Sequence, residues 1–211
     1  MGGNSKYLIV QLEAVTRSPV HSGEIKVSRV SKSPKPVRIT GDGKVAIPIY
    51  GALRGYLEVM LRKSGENVCD TGAKAAKPCG KCVLCDLFGS LQKRGRAIID
   101  DLKSVEDYKK IVDEAVHLRL SRENWSVSDT LRMEEIREGA TFVGKIRIID
   151  PKPRDKELIL AGLKAIEEFG ICGWVTRGRG RIKFTKIEFI EKDWGDFLKE
   201  ARKELAGGRT P

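Results

Sequence analysis

The sequence predicts an α+β fold of the ferredoxin-like (RRM-like) kind, interrupted by two insertions. The predicted elements follow the order strand, helix, strand, strand, helix, strand, which is the order of that fold. A stretch with four cysteines and a charged stretch with weak periodicity interrupt it. The 211 residues, of which 40% are hydrophobic, are enough to form one substantial core, so we expect a single domain over residues 1–211.

Each element has a local signature. Apolar side chains alternate from Lys6 to Arg17, which indicates a strand, whereas Leu53, Leu57 and Leu61 recur at helical spacing and predict a helix over Tyr50 to Lys63. Between them, Ser18 to Asp42 reads as a long loop rich in Ser, Pro and Lys. The remaining predictions are strands at "RAIIDDL", Thr141 to Asp150 and "RIKFTKIEFI", a helix after "PKPRD" that ends before Gly170, and a helix from Asp193 to Leu205.

The charge of the chain indicates a polyanionic partner. Forty Lys and Arg residues stand against 29 Asp and Glu, which leaves a formal net charge of +11. A basic protein binds nucleic acid by releasing condensed counterions from the phosphates, although a lysine-rich surface without a partner is the alternative. No stretch approaches the roughly 18 apolar residues of a membrane span, and the first residues lack the apolar region of a signal peptide. We therefore expect a cytoplasmic protein that does not bind membranes.

Four cysteines have the spacing of a metal site. Cys69, Cys79, Cys82 and Cys85 form a C-x9-C-x2-C-x2-C pattern inside the first insertion, residues 64–95. Four thiolates suit a closed tetrahedral Zn²⁺ site, and a reducing compartment disfavours disulfides. An iron–sulfur cluster and unmetallated thiols are the alternatives, although the usual iron–sulfur motif has its fourth cysteine downstream. Cys172 lies apart in an apolar stretch and is expected in the core.

A second motif, "GWVTRGRGRIKF", lies between the second long helix and the last strand. Its glycines allow positive φ angles and a close approach of the backbone, so that successive N–H groups can line an anion site. Arg177, Arg179 and Arg181 add guanidinium groups that pair with phosphates. The motif is neither a Walker A loop nor a dinucleotide fingerprint.

Four segments together resemble the repeat-associated mysterious protein (RAMP) superfamily, and within it the backbone subunit of type III CRISPR effector complexes. The segments are "IPIYGALRGYLEVMLR", "CGKCVLCDLFGS", "TLRMEEIREGATFVGKI" and "GWVTRGRGRIKF", which follow one another in the family's order over about residues 7 to 190. The resemblance implies a ferredoxin-like palm that holds guide phosphates and a protruding thumb hairpin, here the excursion over residues 108–139.

The resemblance also implies partners and contact residues. The partners are CRISPR RNA, a complementary target strand, other subunits of the effector complex and further copies of the chain along the guide. The candidate RNA-binding residues carried over by position are Lys35, Arg38, Tyr50, Arg54, Arg119, Arg122, Arg132, Arg177, Arg179 and Arg181. We expect base stacking to be secondary to phosphate contact, because aromatic residues are scarce.

Target-cleaving members of the family resemble one another in an Asp on the loop after the first strand. Here Pro34 takes the place of that acid, with Lys32 and Ser33 beside it, and no carboxylate lies between Glu24 and Asp42. The sequence therefore predicts a binding subunit without a catalytic residue in this loop. Asp42, on a "TGDG" turn, is a poor substitute.

Two other functions remain open from the sequence. A guide-processing, metal-independent endoribonuclease would use His21 as a general base for a ribose 2′-hydroxyl, although a surface or backbone-bonded histidine is the simpler interpretation. The second alternative is a stand-alone zinc-containing RNA-binding module.

Overall fold

The computed structural model describes residues 6–23, 35–73 and 78–207, with side chains of the last helix as far as Lys203. Glu24, Lys32, Ser33 and Pro34, which figure in the prediction about cleavage, lie outside the described residues. The strands are β1 (Lys6–Thr16), β2 (Lys44–Ile47), β3 (Ala97–Ile99), β4 (Leu102–Asp107), β5 (Val112–Leu120), β6 (Val127–Ile136), β7 (Thr141–Ile149) and β8 (Ile182–Asp193). The helices are α1 (Tyr50–Lys63), α2 (Val83–Phe88), α3 (Tyr108–Ile111), α4 (Asp155–Phe169) and α5 (Trp194–Gly207), with a 3-10 turn over Val175–Arg177.

The main sheet is antiparallel and has the strand order β2-β4-β7-β1-β8, with β3 also paired to β7. The long strand β1 lies between β7 and β8, where Val10 is opposite Ile146 of β7 and Phe189 of β8. Helix α1 follows β2 and is followed by the cysteine insertion, after which the chain enters β3 and β4. Helix α4 connects β7 to β8. This mixed α+β architecture is consistent with the predicted ferredoxin-like palm.

The core lies between the sheet and the helices α1 and α4. Leu8, Val10 and Leu12 alternate along β1 and are buried, because a strand directs every second side chain to the same face. From the helices, Leu53 and Leu57 pack close to Gly162 of α4, where a Cβ atom would overlap the Leu53 side chain. The helical periodicity that predicted α1 and α4 is therefore the periodicity of this contact.

The charged excursion forms a separate two-stranded sheet, β5 and β6, whose strands pair from Val112 opposite Ile136 to Leu120 opposite Val127. Two bridges join its base to the basic segment after β1: Val20 pairs with Ile136, and Lys35 pairs with Met133. Toward the turn at Trp125 nearly every side chain is exposed. The weak periodicity seen in the sequence follows from this, since a hairpin with solvent on both faces needs no apolar alternation.

Candidate metal centre and candidate nucleic-acid interface

The four predicted cysteines converge. The Sγ atoms of Cys69, Cys79, Cys82 and Cys85 all lie within 4.8 Å of one another. The Cys69 sulfur is 3.6 Å from that of Cys85 and 3.8 Å from that of Cys82. Sulfurs about 2.3 Å from a zinc ion at the centre of a tetrahedron are about 3.8 Å apart. The arrangement therefore has the size that a four-thiolate zinc site requires.

Backbone N–H groups point at these sulfurs. The Cys79 sulfur accepts hydrogen bonds from the N–H groups of Lys81 at 3.4 Å and Cys82 at 3.2 Å, and the Cys82 sulfur accepts one from Cys85 at 3.4 Å. The two N–H donors lower the pKa of Cys79 to about 6, whereas burial raises the pKa of Cys69 to about 12. A bound divalent cation deprotonates its thiol ligands, and N–H donors stabilise the resulting thiolates.

Arg54 supports the cysteine segment and is buried. Its Nε donates to Glu58 Oε1 at 2.9 Å, its Nη1 donates to the Gly89 carbonyl at 2.8 Å, and its Nη2 lies 3.8 Å from Cys85 Sγ. Burial alone would lower the pKa of Arg54, but hydrogen bonds to Glu58 and Tyr50 outweigh burial and hold it above its ordinary value. Arg54, which the resemblance assigned to a guide phosphate, is 7% exposed as a residue, and its guanidinium lies among protein acceptors.

Glu58 is a residue that sequence reasoning missed. Its carboxylate is buried beside Arg54 and accepts the Thr71 N–H and hydroxyl, each at 2.8 Å to Oε2. Thr71 lies two residues after Cys69, so Glu58 fastens the segment that carries the first cysteine to α1. The signal available in the sequence was the i,i+4 spacing of Arg54 and Glu58 on a helix.

Ion pairs attach the other end of the cysteine insertion to the palm. Asp86, next to Cys85, pairs with Arg96 at 2.9 Å and with Lys152 at 2.8 Å. The backbone N–H of Lys152 donates a hydrogen bond to the Asp155 carboxylate. Arg96 in turn pairs with the buried Asp155 at the start of α4 at 2.5 Å. These pairs fix α2 against the first turn of α4.

The glycine-rich loop is held in an unusual backbone conformation. Cys172 and Trp174 have φ angles of 67° and 65°, which side chains other than glycine rarely adopt. The loop is tied to the segment after β1: the Gly180 N–H donates to the Pro19 carbonyl at 2.9 Å, and the Gly173 N–H donates to His21 at 3.3 Å. Strain of this kind persists only where the surroundings enforce it, and it concentrates at functional sites. Cys172 itself is half-buried, and burial raises the pKa of its thiol to about 12.

The three arginines of the loop differ in environment. Arg177 is exposed, with its guanidinium carbon 4.2 Å from the centre of the Trp174 ring. Arg179 pairs with the buried carboxylate of Glu135 at 2.5 Å. Arg181 donates to the Glu168 carbonyl at the end of α4. Of the three, Arg177 presents its guanidinium most openly to an external phosphate.

Glu135 joins the hairpin to the glycine-rich loop. Its carboxylate accepts from Arg179 and lies 3.1 Å from His117 Nε2 on the neighbouring strand β5. The His117 ring stacks on Trp174, with ring centres 4.7 Å apart and planes inclined by 29°. Trp174 is therefore in contact with both His117 and Arg177, and a cleft opens beside it that Arg119, Asp129 and Leu131 also line.

The remaining candidate residues fall into two groups. Arg119, Arg122 and Lys35 are exposed, as is Arg132, whose contact with Glu114 at 3.4 Å is also exposed. Arg38 pairs with Asp101 at 2.9 Å, and the half-exposed Tyr50 donates its hydroxyl to the Phe88 carbonyl at 3.0 Å. Within the described parts of the chain, Lys35, Arg119, Arg122 and Arg177 have no carboxylate partner.

Two groups considered for chemistry have structural contacts. His21 Nδ1 lies 2.7 Å from the Glu134 carbonyl, which agrees with the prediction of a backbone-bonded histidine. Asp42 accepts a hydrogen bond from Thr40 Oγ1, and this bond holds the pKa of Asp42 below its ordinary value. The Asp42 carboxylate also lies 3.4 Å from Lys103 Nζ. Asp42 is thus an exposed, ionised carboxylate on a turn.

Comparison with known proteins identifies the family. Residues 13–183 match the sequence model of the RAMP superfamily. The chain belongs to this superfamily. Two similar proteins carry the name CRISPR system Cms endoribonuclease Csm3. The one from Methanocaldococcus jannaschii is 29% identical over 204 residues, covering 87% of this chain and 79% of its own length. The one from Methanothermobacter thermautotrophicus is 26% identical over 238 residues, covering 96% of this chain and 93% of its own length.

A solved structure supports the RAMP fold. A chain in the cryo-EM structure of the type III-B Cmr-beta bound to cognate target RNA matches with a TM-score of 0.66 and 18% identity. The match covers 88% of this chain but only 61% of that chain, so this RAMP protein spans about three fifths of its length. None of the helices among the described residues is long and apolar enough to cross a membrane.

Proposed function

We propose that this RAMP protein is a backbone subunit of a type III CRISPR effector complex, in which it binds CRISPR RNA and the complementary target strand. The observation that carries the proposal is the similarity to the two Csm3 relatives over most of both chains. The net charge of +11 fits a role in binding polyanions.

The geometry favours a smaller set of phosphate contacts than the sequence did. Exposed cations without a described carboxylate partner bind phosphate without breaking an internal contact, so we assign this role to Lys35, Arg119, Arg122 and Arg177. Arg132, whose ion pair with Glu114 is exposed, and the half-exposed Tyr50 remain candidates for RNA contact. Arg38, Arg54, Arg179 and Arg181 are engaged within the protein, and we expect them to act mainly through its structure.

We assign the thumb role to the β5–β6 hairpin. One of its faces exposes Val116, Leu118 and Leu120, and Trp125 at its turn is 78% exposed. An exposed apolar stripe on a protruding hairpin is suited to contact unstacked bases, because apolar side chains and base faces are both poorly hydrated. Glu135 and Arg179 would hold that hairpin at a set position relative to the glycine-rich loop.

The four cysteines are proposed to hold one structural Zn²⁺ per chain. The distances among the sulfurs and the N–H donors fit a closed site with no open coordination position, so the ion would stabilise the insertion rather than take part in chemistry. The proposal also includes contacts with further copies of the chain and other subunits, in the reducing environment of the cytoplasm.

RNA cleavage is the second candidate function, and the name endoribonuclease carried by both relatives favours it. The side chains after β1 do not favour it: within residues 35–42 the one carboxylate is Asp42, which hydrogen bonds to Thr40. We therefore keep the prediction that this chain binds the guide and the target without cutting through this loop.

The test is binding of a guide RNA to the purified full chain, followed by nuclease footprinting. A backbone subunit is expected to protect the guide at a regular interval, because identical protomers repeat along it. A stand-alone module would bind as a monomer without a regular footprint, and that result would contradict the proposal. A guide-processing enzyme would instead cut repeat RNA, and His21→Ala would abolish the cutting.

A further inference from the structure

We infer that Arg54 is a positioning residue of the four-cysteine centre, held by Glu58, and that it acts on the metal ligands rather than on RNA phosphates. The inference rests on the zinc site of the proposed function and goes beyond it, because it assigns a role to two side chains outside the ligand set.

The first support is the position of the guanidinium. Arg54 Nη2 lies 3.8 Å from the sulfur of Cys85, the most buried of the four cysteines. A zinc ion with four thiolates carries a net charge of about −2, and burying that charge is costly without a nearby cation. Arg54 supplies the positive charge on the side of the centre that solvent does not reach.

The second support is the way in which the guanidinium is oriented. Glu58 accepts from Arg54 Nε, and the pair is nearly dry, with side chains 9% and 3% exposed. A buried ion pair of this kind is maintained only where its remaining polar atoms are also satisfied. Here the Gly89 carbonyl and the Thr71 N–H and hydroxyl satisfy them, and no buried side-chain polar atom of the described residues lacks a partner.

The third support is that these partners belong to the cysteine insertion. Thr71 follows Cys69 by two residues, and Gly89 ends α2, which begins directly after Cys82 and carries Cys85. From one turn of α1, Glu58 therefore binds the segment that carries Cys69, and Arg54 binds the end of the helix that carries Cys85. Outer groups that orient metal ligands typically change metal affinity about 10- to 100-fold when they are removed.

The same geometry argues against a phosphate contact. Two of the three guanidinium nitrogens are already donating to protein acceptors within 3 Å, and the side chain has almost no exposed surface. A phosphate could reach it only if the cysteine insertion moved away.

The experiment compares zinc affinity and RNA binding in the full chain. Zinc affinity is measured by competition with a chelator, and the salt slope of binding to a single-stranded RNA reports the number of phosphate contacts. Arg54→Met is expected to weaken zinc affinity about 10- to 100-fold and to leave the salt slope unchanged. The matched control, Arg119→Met, is expected to leave zinc affinity unchanged and to reduce the slope by about 1.

Several outcomes would overturn the inference. Wild-type zinc affinity in Arg54→Met would remove the role at the metal, and a slope reduced as in the Arg119 control would make Arg54 a phosphate ligand. If Arg54→Met does not fold, Arg54→Lys decides, because lysine keeps the charge but cannot make all three contacts: weaker zinc binding supports the inference and wild-type affinity overturns it. A wild-type chain that takes up no zinc would overturn the metal site and this inference together, while its RNA binding would show separately whether the rest of the proposed function holds.

Discussion

The arginines of the glycine-rich loop are alike in the sequence and different in the fold. Arg177 covers one face of Trp174 and faces solvent, whereas Arg179 compensates the buried charge of Glu135. A guanidinium that already balances a buried carboxylate gains little by exchanging it for a phosphate, since the carboxylate would then be left uncompensated. At the residue scale, the contacts of each arginine within the fold decide its function.

We expect alanine at these positions to separate binding from stability. Arg177→Ala should weaken RNA binding for all sequences and reduce the salt slope by about 1. Arg179→Ala should lower the free energy of unfolding by about 2 kcal/mol, because the buried Glu135 carboxylate loses a charged hydrogen-bond donor and keeps only His117 nearby. Binding at several salt concentrations and urea unfolding measure the two effects. If the triple alanine variant of Arg177, Arg179 and Arg181 bound RNA as tightly as the wild type, the loop would be structural only.

Two glycines of the loop provide a test of its backbone. Gly180 and Gly178 both have positive φ angles, of 75° and 79°. A Cβ atom on Gly180 would also overlap the Ile171 carbonyl, whereas one on Gly178 would meet nothing within 4 Å. We expect Gly178→Ala to cost about 1 kcal/mol and Gly180→Ala at least about 3 kcal/mol, as measured by urea unfolding. If the two substitutions lowered the free energy of unfolding equally, the close approach of Gly180 to the Ile171 carbonyl would not contribute to stability.

At the scale of elements, the cysteine insertion and the hairpin are attached to the palm by different means. Ion pairs and the Arg54–Glu58 pair fasten the insertion at both ends. Among the described residues, the hairpin is attached near its base by backbone bridges, by Glu135 and by the stack of His117 on Trp174, and its far end is exposed. An element held at one end can adjust to a bound strand, whereas one held at both ends serves as a fixed support.

The metal is expected to stabilise the insertion more than the palm. Cys82→Ser should abolish tight zinc binding and increase amide hydrogen exchange over residues 64–95, while exchange in β1 and β7 changes little. Cys172→Ser, at a half-buried cysteine outside the cluster, serves as the control and should keep one zinc per chain. Iron in the purified wild-type protein, or no metal at all without chelator, would contradict the zinc assignment.

At the scale of the whole molecule, the net charge of +11 and the separate β5–β6 hairpin fit the proposed role of holding a long polyanion. Holding an RNA requires cations along its backbone, and cutting it requires in addition a group that moves a proton or stabilises a leaving oxygen. Basic residues after β1 can do the first without the second.

We therefore expect the assembled protein to bind its guide and target without cutting the target at regular spacing. Gel analysis of a labelled target RNA is the measurement, and Pro34→Asp is expected to restore some cutting if the backbone is otherwise competent. Regular cuts by the wild type that persist after changing Glu24 and Asp42 would contradict the interpretation of this loop. Loss of such cuts in Asp42→Ala would instead show that the acid lies at position 42.

Periodicity and spacing in the sequence determined the elements of the palm and the cysteine cluster. The predicted bounds of α1 agree with the structure, and β1, β7 and α4 agree to within a residue. They were predictable because each buries one face, which imposes a period of 2 or 3.6 on its apolar residues. The cysteines were predictable because Cys-x-x-Cys steps bring two thiolates together locally.

Only the tertiary structure decided which cations are free to bind. Arg54, Arg119 and Arg179 have the same side chain, yet one is buried at the cysteine cluster, one is exposed on the hairpin and one pairs with Glu135. Their partners are distant in sequence, as with the 44 residues that separate Arg179 from Glu135. Charge pairing depends on distances in space, which leave no local period in the sequence. The sequence therefore gives the number of arginines but does not show which of them pair with carboxylates inside the fold.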